Sequence, residues 1–314
     1  MQTSSPLQTI QHPLFAKHQL EVKIKRDDLI HPIISGNKWR KLKYNLAFAK
    51  EQGFKGALSF GGSYSNHIHA LAYACYQQQL PCLGVIRGEK EYAANCTLSQ
   101  AQQWGMALHF VDRKTYRLRH DENYLQELQA QYPEYFIIPE GGSNALALPG
   151  VGEVITELNA ETDFDTLMTP VGSGGTLAGL IAADNNQHQL LGVAVLKQDG
   201  YLSQEVQHLL GKNAGNYHNW QILNDFHRGG YARFSEADCG RILAFNRQTD
   251  ISFEPVYSGK MLLALLDLIE QGYFPAGHKI VLLHTGGLQG LGGLAERGLI
   301  NNQDWPLPSL DMTR

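Results

Sequence analysis

The sequence predicts an α/β protein built on two open, twisted, mostly parallel sheets flanked by helices. Short apolar runs alternate with amphipathic segments along most of the 314 residues, and the alternation comes in two series. Of the 32 glycines, eleven gather at 61–62, 141–142, 172–175 (around Ser173), 229–230 and 286–287, where a flexible linker would spread them. Strand–helix alternation implies parallel strands with helices on both faces, and two series imply two lobes with a cleft between them. The expected limits are a larger domain of residues 1–42 and 152–314 and a smaller inserted domain of 43–151.

In the first series GALSF (56–60), CLGVI (82–86), ALHFV (107–111) and YFIIP (135–139) read as buried strands, separated by helices at 66–79, 92–104 and 121–131. The second holds DTLMTPV (165–171), LLGVAVL (190–196) and KIVLLH (279–284), with helices at 175–184, 203–211, 235–248 and 259–271. Ahead of both, SGNKWRKLKYNLAFAK (35–50) puts Trp39, Leu42, Leu46 and Ala49 on one helical stripe, with Gly53 as a stop. On that helix Lys38 borders the buried face and Lys41 is expected on the open side.

Hydrophobic residues make up 43% and charged residues 18%, the balance of a globular protein. With 26 basic against 30 acidic residues the net charge is −4, which argues against a broad nucleic-acid surface. No apolar run approaches membrane-spanning length, and MQTSSPLQTIQHPLF lacks the basic start and apolar core of a secretory leader. Cys75, Cys82, Cys96 and Cys239 show no C-x-x-C spacing, so reduced thiols in a cytoplasmic protein are expected.

The glycine clusters follow strands, where open α/β sheets bind their ligands. In TPVGSGGTLAGL (169–180), glycines allow positive φ and let successive N–H groups converge in front of a helix start. That arrangement favours a phosphate. The loop is neither a Walker A motif nor a dinucleotide fingerprint, so it reads as a monophosphate cradle made by Gly172, Ser173, Gly174, Gly175 and Thr176; an ordinary tight turn is the alternative. In GGSYSNHIH (61–69), Ser65 or Asn66 can cap a helix, or both can join backbone N–H groups in a carboxylate site. His67 and His69 point to different sides of a helix and have no cysteine or acidic partner in register, so no metal site is expected. Both read as packed histidines, with His67 able to line the site. Tyr257 precedes a helix in PVYSGK (255–260), Tyr231 follows a glycine pair in GGYARF (229–234), and Thr285 ends a strand in IVLLHTGGLQGL (280–291), placed to touch a planar ring. Lys38, taken alone, reads first as a solvated lysine; the alternative is that the helix N-terminus and partial burial lower its pKa and make it an amine nucleophile.

Taken together, KIKRDDL (23–29), GNKWRKL (36–42), GGSYSNH, GSGGT, VYSGK and HTGG resemble the pyridoxal-phosphate (PLP) enzymes of the tryptophan-synthase β fold, fold type II. Within that group they are similar to the D-cysteine desulfhydrase and 1-aminocyclopropane-1-carboxylate (ACC) deaminase family over nearly the full length. The resemblance implies PLP in the interdomain cleft, with Lys38 as its Schiff-base lysine and as a base. Residues 172–176 would bind the phosphate, and Asn66 the ring hydroxyl. Ser65 would bind the substrate carboxylate or assist proton transfer, Tyr257 and Tyr231 would flank the substrate, and His67 would border it. Ser258 and Thr285 would meet the cofactor ring. ACC deaminases of the family typically carry glutamate and leucine at those two positions; hydroxyls there are similar to the D-cysteine desulfhydrases. A carboxylate keeps the pyridine nitrogen protonated, whereas a hydroxyl leaves it closer to neutral. The implied activity is β-elimination from D-cysteine or a similar small D-amino acid to pyruvate, ammonia and hydrosulfide. The alternatives are ACC ring opening to 2-oxobutyrate and ammonia, a PLP-binding protein without catalysis, and a phosphate-ligand-binding protein without PLP. A homodimer with no nucleic-acid or membrane partner completes the expectations.

Overall fold

In the computed structural model, residues 4–34 and 36–305 are described. Among them the strands are, in chain order, β1 (Leu7–Thr9), β2 (Glu21–Lys25), β3 (Gly56–Gly62), β4 (Cys82–Arg87), β5 (Met106–Val111), β6 (Tyr135–Ile138), β7 (Thr166–Val171), β8 (Gln189–Ala194), β9 (Trp220–Leu223) and β10 (Lys279–Leu283). Internal contacts divide the chain into a larger unit, built from the segment up to His31, Gly36–Asn37 and Leu148–Leu288, and a smaller one built from Pro32–Ile34, Lys38–Ala147 and the segment from Gln289 on. Residues 38–42 and 289–305 thus count with the smaller unit, whereas the sequence reading placed them in the larger domain.

The smaller unit holds a parallel sheet in the order β5-β4-β3-β6. Its strands are near-continuous apolar runs because both faces are covered. Leu58, Phe60, Leu83 and Val85 pack with Tyr116 and Leu128 on one side. Ala57 and Ile86 pack on the other with Leu42, Leu46, Ile68 and Leu71. Those last four lie on the helices Asn37–Glu51 and Asn66–Gln77. The chain adds β4 and β5 on one side of β3 and returns to place β6 on the other. The switch point is therefore at the carboxyl ends of β3 and β6, where such sheets open a crevice.

The larger unit holds a sheet in the order β1-β2-β10-β7-β8-β9, with β1 and β2 antiparallel and the other pairs parallel. Its switch point lies between β7 and β10, at the loops that begin at Gly172 and His284. The helix Gly175–Asp184 after β7 is buried along most of its length and packs on the helix Ala147–Glu161. Glycines set their spacing: a Cβ on Gly179 would sit 2.6 Å from the Cβ of Val151, and one on Gly152 2.9 Å from the Cβ of Ala183.

Each of the seven expected strands forms within two residues of its expected ends. β2 escaped the reading because Glu21, Lys23 and Lys25 leave it only two apolar residues, Val22 and Ile24. The Lys25 ammonium is buried and paired with Glu157 at 3.0 Å and Glu161 at 2.8 Å. Both acids lie on Ala147–Glu161, a helix masked by Pro149 in its first turn, where proline is tolerated. The helix expected at 92–104 is instead a 3-10 turn (Lys90–Ala94) followed by Cys96–Gln103, because the Asn95 side chain caps the second piece by accepting the Leu98 N–H at 2.8 Å.

Gly179→Val forces two helices apart and is expected to cost about 1–3 kcal/mol. A urea midpoint unchanged from the parent chain would show that this contact does not set the helix spacing.

Candidate active site

In the larger unit the Gly-rich loop leads from β7 straight into the helix Gly175–Asp184. Gly174 is its N-cap, with φ 76° and ψ −29°, and no side chain caps the helix. The first backbone N–H groups therefore stay available to an anion. Gly172 faces the Tyr257 ring closely, since a Cβ there would lie 3.2 Å from Cε1. Thr176 accepts a hydrogen bond from the Asn37 amide at 2.7 Å, which leaves its own proton to donate elsewhere. Asn37 is also fixed through its backbone, donating to the Thr285 carbonyl at 3.3 Å. Beside it, Gly36 has φ 73°, and a Cβ at that position would overlap the same carbonyl. Thr285 thus acts on the start of the next helix through its backbone, a role its place in HTGG did not announce.

Tyr257 and Tyr231 come together, their rings edge to face with centroids 5.9 Å apart. The loop that carries Tyr231 is pinned by the buried Lys260, whose ammonium donates to the carbonyls of Gly230 and Val195. Burial lowers the Lys260 pKa to about 8. Ser258 is fully buried and already bonded. Its hydroxyl accepts the Glu254 N–H at 3.1 Å and donates to Glu254 Oε1 at 3.2 Å. Glu254 in turn accepts the N–H groups of Val256, Tyr257 and Ser258 at 2.6–2.9 Å, which caps the helix Ser258–Glu270. Burial raises the Glu254 pKa, and those N–H bonds oppose the rise.

In the smaller unit Lys38 is the second residue of the helix Asn37–Glu51. Its side chain keeps some exposed area, yet its ammonium is sufficiently desolvated to bring the pKa down to about 8. Lys41 corrects the sequence reading: it is 1% exposed. Three residues after Lys38 it lies nearly on the same face, and its ammonium donates to Ser143 Oγ at 3.0 Å and to the Gly141 carbonyl at 3.4 Å. Burial, with the nearby Lys38 charge, holds its pKa well below the usual lysine value.

Ser65 is the N-cap of the helix Asn66–Gln77 and accepts the Ile68 N–H at 3.3 Å. The Asn66 amide lies against Gly290, where an added Cβ would come 3.1 Å from its oxygen. His67 sits at the β3–β6 crevice. Ser59 Oγ donates to the Ile138 carbonyl at 2.7 Å, so it accepts from His67 Nε2 at 2.8 Å. That network assigns the proton to Nε2 and leaves the buried Nδ1 without a partner. Burial and the Lys38 and Lys41 charges depress the His67 pKa well below normal, so the ring is neutral. His69 points elsewhere: it packs edge to face on Trp104 at 4.8 Å, with a pKa lowered to about 4 by burial.

In the larger unit an uncapped helix start behind a left-handed glycine suits a phosphate, and in the smaller unit a desolvated lysine suits a carbonyl. A sequence profile of the family described as "Pyridoxal-phosphate dependent enzyme" matches residues 3–286. The chain belongs to that family. It is 30% identical over 293 residues to the Arabidopsis thaliana "Bifunctional D-cysteine desulfhydrase/1-aminocyclopropane-1-carboxylate deaminase, mitochondrial", covering 86% of this chain and 73% of that protein. With the D-cysteine desulfhydrase of Yersinia enterocolitica the identity is 29% over 290 residues, covering 86% of this chain and 88% of the relative. A crystal structure described as an ACC deaminase homologue superposes with a TM-score of 0.81 at 26% identity, covering 95% of this chain and 94% of that one.

The chain's own residues fit PLP. Gly174, in the left-handed region, leaves the first N–H groups of Gly175–Asp184 without a side-chain cap, and the Lys38 amine is held in a state able to bond a carbonyl carbon. Glu254, Lys41 and Lys260 escaped the sequence reading. A signal for Glu254 existed, an acid four residues before the serine that opens an apolar helix. Nothing in the spacing marked the two lysines as buried.

The lowered Lys38 pKa has a kinetic signature. At pH 7 about a tenth of an amine with a pKa near 8 is neutral, against roughly three in ten thousand for a lysine at its ordinary value. The rate at which cofactor-free protein takes up PLP is expected to rise with pH and level off above about 8. A rise continuing beyond pH 10 would show that Lys38 is not desolvated.

Proposed function

We propose that this PLP-dependent enzyme removes the β substituent of a small D-amino acid, D-cysteine in the first place, giving pyruvate, ammonia and hydrosulfide with one water consumed. When bound, PLP supplies the electron sink. The N–H groups at the start of the helix Gly175–Asp184, with Ser173 and Thr176, would hold the phosphate, and Asn66 would hydrogen-bond the ring hydroxyl. Ser65 and the N–H groups beside it hold the substrate carboxylate. Lys38, with a pKa brought down to about 8, would take the α-proton of the substrate whose carboxylate Ser65 holds. Tyr257 would flank the substrate, with Tyr231 packed edge to face on its ring, and His67, kept neutral, adds no charge that would compete for the carboxylate.

The observation that carries this reading is residue 258. It is a serine bonded into the Glu254 cap, where ACC deaminases of the resembling family carry a carboxylate. A hydroxyl leaves the ring nitrogen closer to neutral, enough when a good leaving group departs and weak for opening an unactivated cyclopropane. The second reading, ACC ring opening, is favoured by the buried Glu254 carboxylate, one hydrogen bond behind Ser258. A homodimer located in the cytoplasm belongs to the same proposal, with the oligomer checked by light scattering. Among the described residues no helix is long and apolar enough to cross a membrane.

With PLP-loaded protein, D-cysteine is expected to release hydrosulfide and pyruvate in equal amounts, with L-cysteine and ACC turned over at least about a hundredfold more slowly. Lys38→Ala is expected to lose at least about a thousandfold in rate while keeping its fold. Production of 2-oxobutyrate from ACC as the faster reaction would replace the first reading by the second.

A further inference from the structure

A cavity of about 390 Å³ in the smaller unit is lined by Arg87, Arg113, Tyr116, Arg117 and Arg119. None of these residues belongs to the motifs assigned to PLP or substrate. The cavity lies at the carboxyl ends of β4 and β5. Arg87 is the last residue of β4; Arg113 and Arg117 bound the short helix that follows β5, and Arg119 comes two residues later. Buried Tyr116 forms its base. Arg87 and Arg119 both stack on the Tyr116 ring, at 5.4 Å and 5.0 Å from the centroid. The Tyr116 hydroxyl donates to Glu140 at 2.7 Å, and Glu140 also accepts from Arg119 Nε. Tyr116 and its two guanidinium groups are thereby fixed before any ligand arrives.

The charge balance is what sets this cavity apart. Four guanidinium groups face it, and Glu140 is the carboxylate that pairs with one of them. The neighbouring Asp112 is committed to its own helix cap, accepting the Thr115 N–H at 2.7 Å. Among the described residues Arg87, Arg113 and Arg117 make no ion pair with an acid, although the chain as a whole carries more acids than bases. Like charges gathered in one concavity repel and focus their field outward, which draws in anions. Guanidinium forks match phosphate and carboxylate oxygens two at a time. No aliphatic side chain lines the cavity, so it offers little to an apolar ligand, and its size is that of a small-molecule site.

We propose that this arginine pocket binds a small, multiply charged anion carrying two or more phosphate or carboxylate groups. A single phosphate would engage one or two forks and leave the others uncompensated. Two linked oxyanion groups can reach Arg113 and Arg117 on the helix together with Arg87 on the strand.

The test is isothermal titration of the PLP-loaded protein, whose phosphate cradle is then filled, with inorganic diphosphate, citrate and orthophosphate at matched ionic strength. Diphosphate or citrate is expected to saturate near one per chain and to bind at least about tenfold more tightly than orthophosphate, and the tighter of the two names the ligand class. Arg113→Gln and Arg117→Gln, both at exposed positions, are each expected to weaken that binding at least about tenfold, while the remote Arg247→Gln leaves it unchanged. Absence of saturable binding by either multivalent anion, or equal affinities in Arg113→Gln and Arg247→Gln, would overturn the assignment. The readout is binding alone, so it stands or falls separately from the reaction proposed above.

Discussion

The start of the helix Asn37–Glu51 is held by a backbone contact that admits no side chain at residue 36. Gly36 lies in the left-handed region with the Thr285 carbonyl where its Cβ would be. Asn37 then ties the next peptide to that carbonyl through its N–H and to Thr176 through its amide. One short segment thus links the loop after β10, the first turn after β7 and the beginning of the helix that carries Lys38. Any larger residue at 36 has to displace a strand-end loop, so the requirement for glycine is steric as well as conformational.

Desolvation then decides the chemistry available. Lys38, Lys41 and His67 are three groups that would each carry positive charge in water or mild acid, and burial disfavours the charge on all of them. Their mutual repulsion acts in the same direction for Lys41 and His67. A neutral histidine and a lysine near its titration point leave a site whose strongest remaining demand is for a negatively charged ligand. In the larger unit the uncapped N-terminus of Gly175–Asp184 makes the same demand through backbone dipoles. At the neighbouring helix Ser258–Glu270 Glu254 answers it from within the chain. Of these two helix starts in one unit, one is filled by an internal carboxylate and one is left for a phosphate.

Much of this was legible in the amino-acid order. β3, β7, β8 and β10 announced themselves as apolar runs, and the glycine-bearing loops after β3, β7 and β10 were expected at a ligand-binding edge on topology alone. Ser65, Gly174 and Thr176 lie at the starts of the helices that follow β3 and β7. What stayed hidden were polar groups whose partners are far away in sequence. Lys25 is buried in β2 because Glu157 and Glu161 meet it from a distant helix. Lys41 is buried because Gly141 and Ser143 cover it, and no periodicity within residues 35–50 reports on a loop a hundred residues later. Lys260 and Glu254 show the same limit: each is an ionisable residue enclosed by backbone groups that a one-dimensional pattern does not bring together.

Lys38 and Lys41 are both desolvated amines on one helix face, and only one can be the residue that holds PLP. Reducing the PLP-loaded protein with borohydride fixes the cofactor on its lysine, and peptide mass spectrometry with fragmentation then locates it. Because Lys41 is already held by Ser143 and the Gly141 carbonyl, the added mass is expected on Lys38 alone, with Lys41 unmodified. Label on Lys41, or no lysine labelled within residues 37–51, would contradict the account.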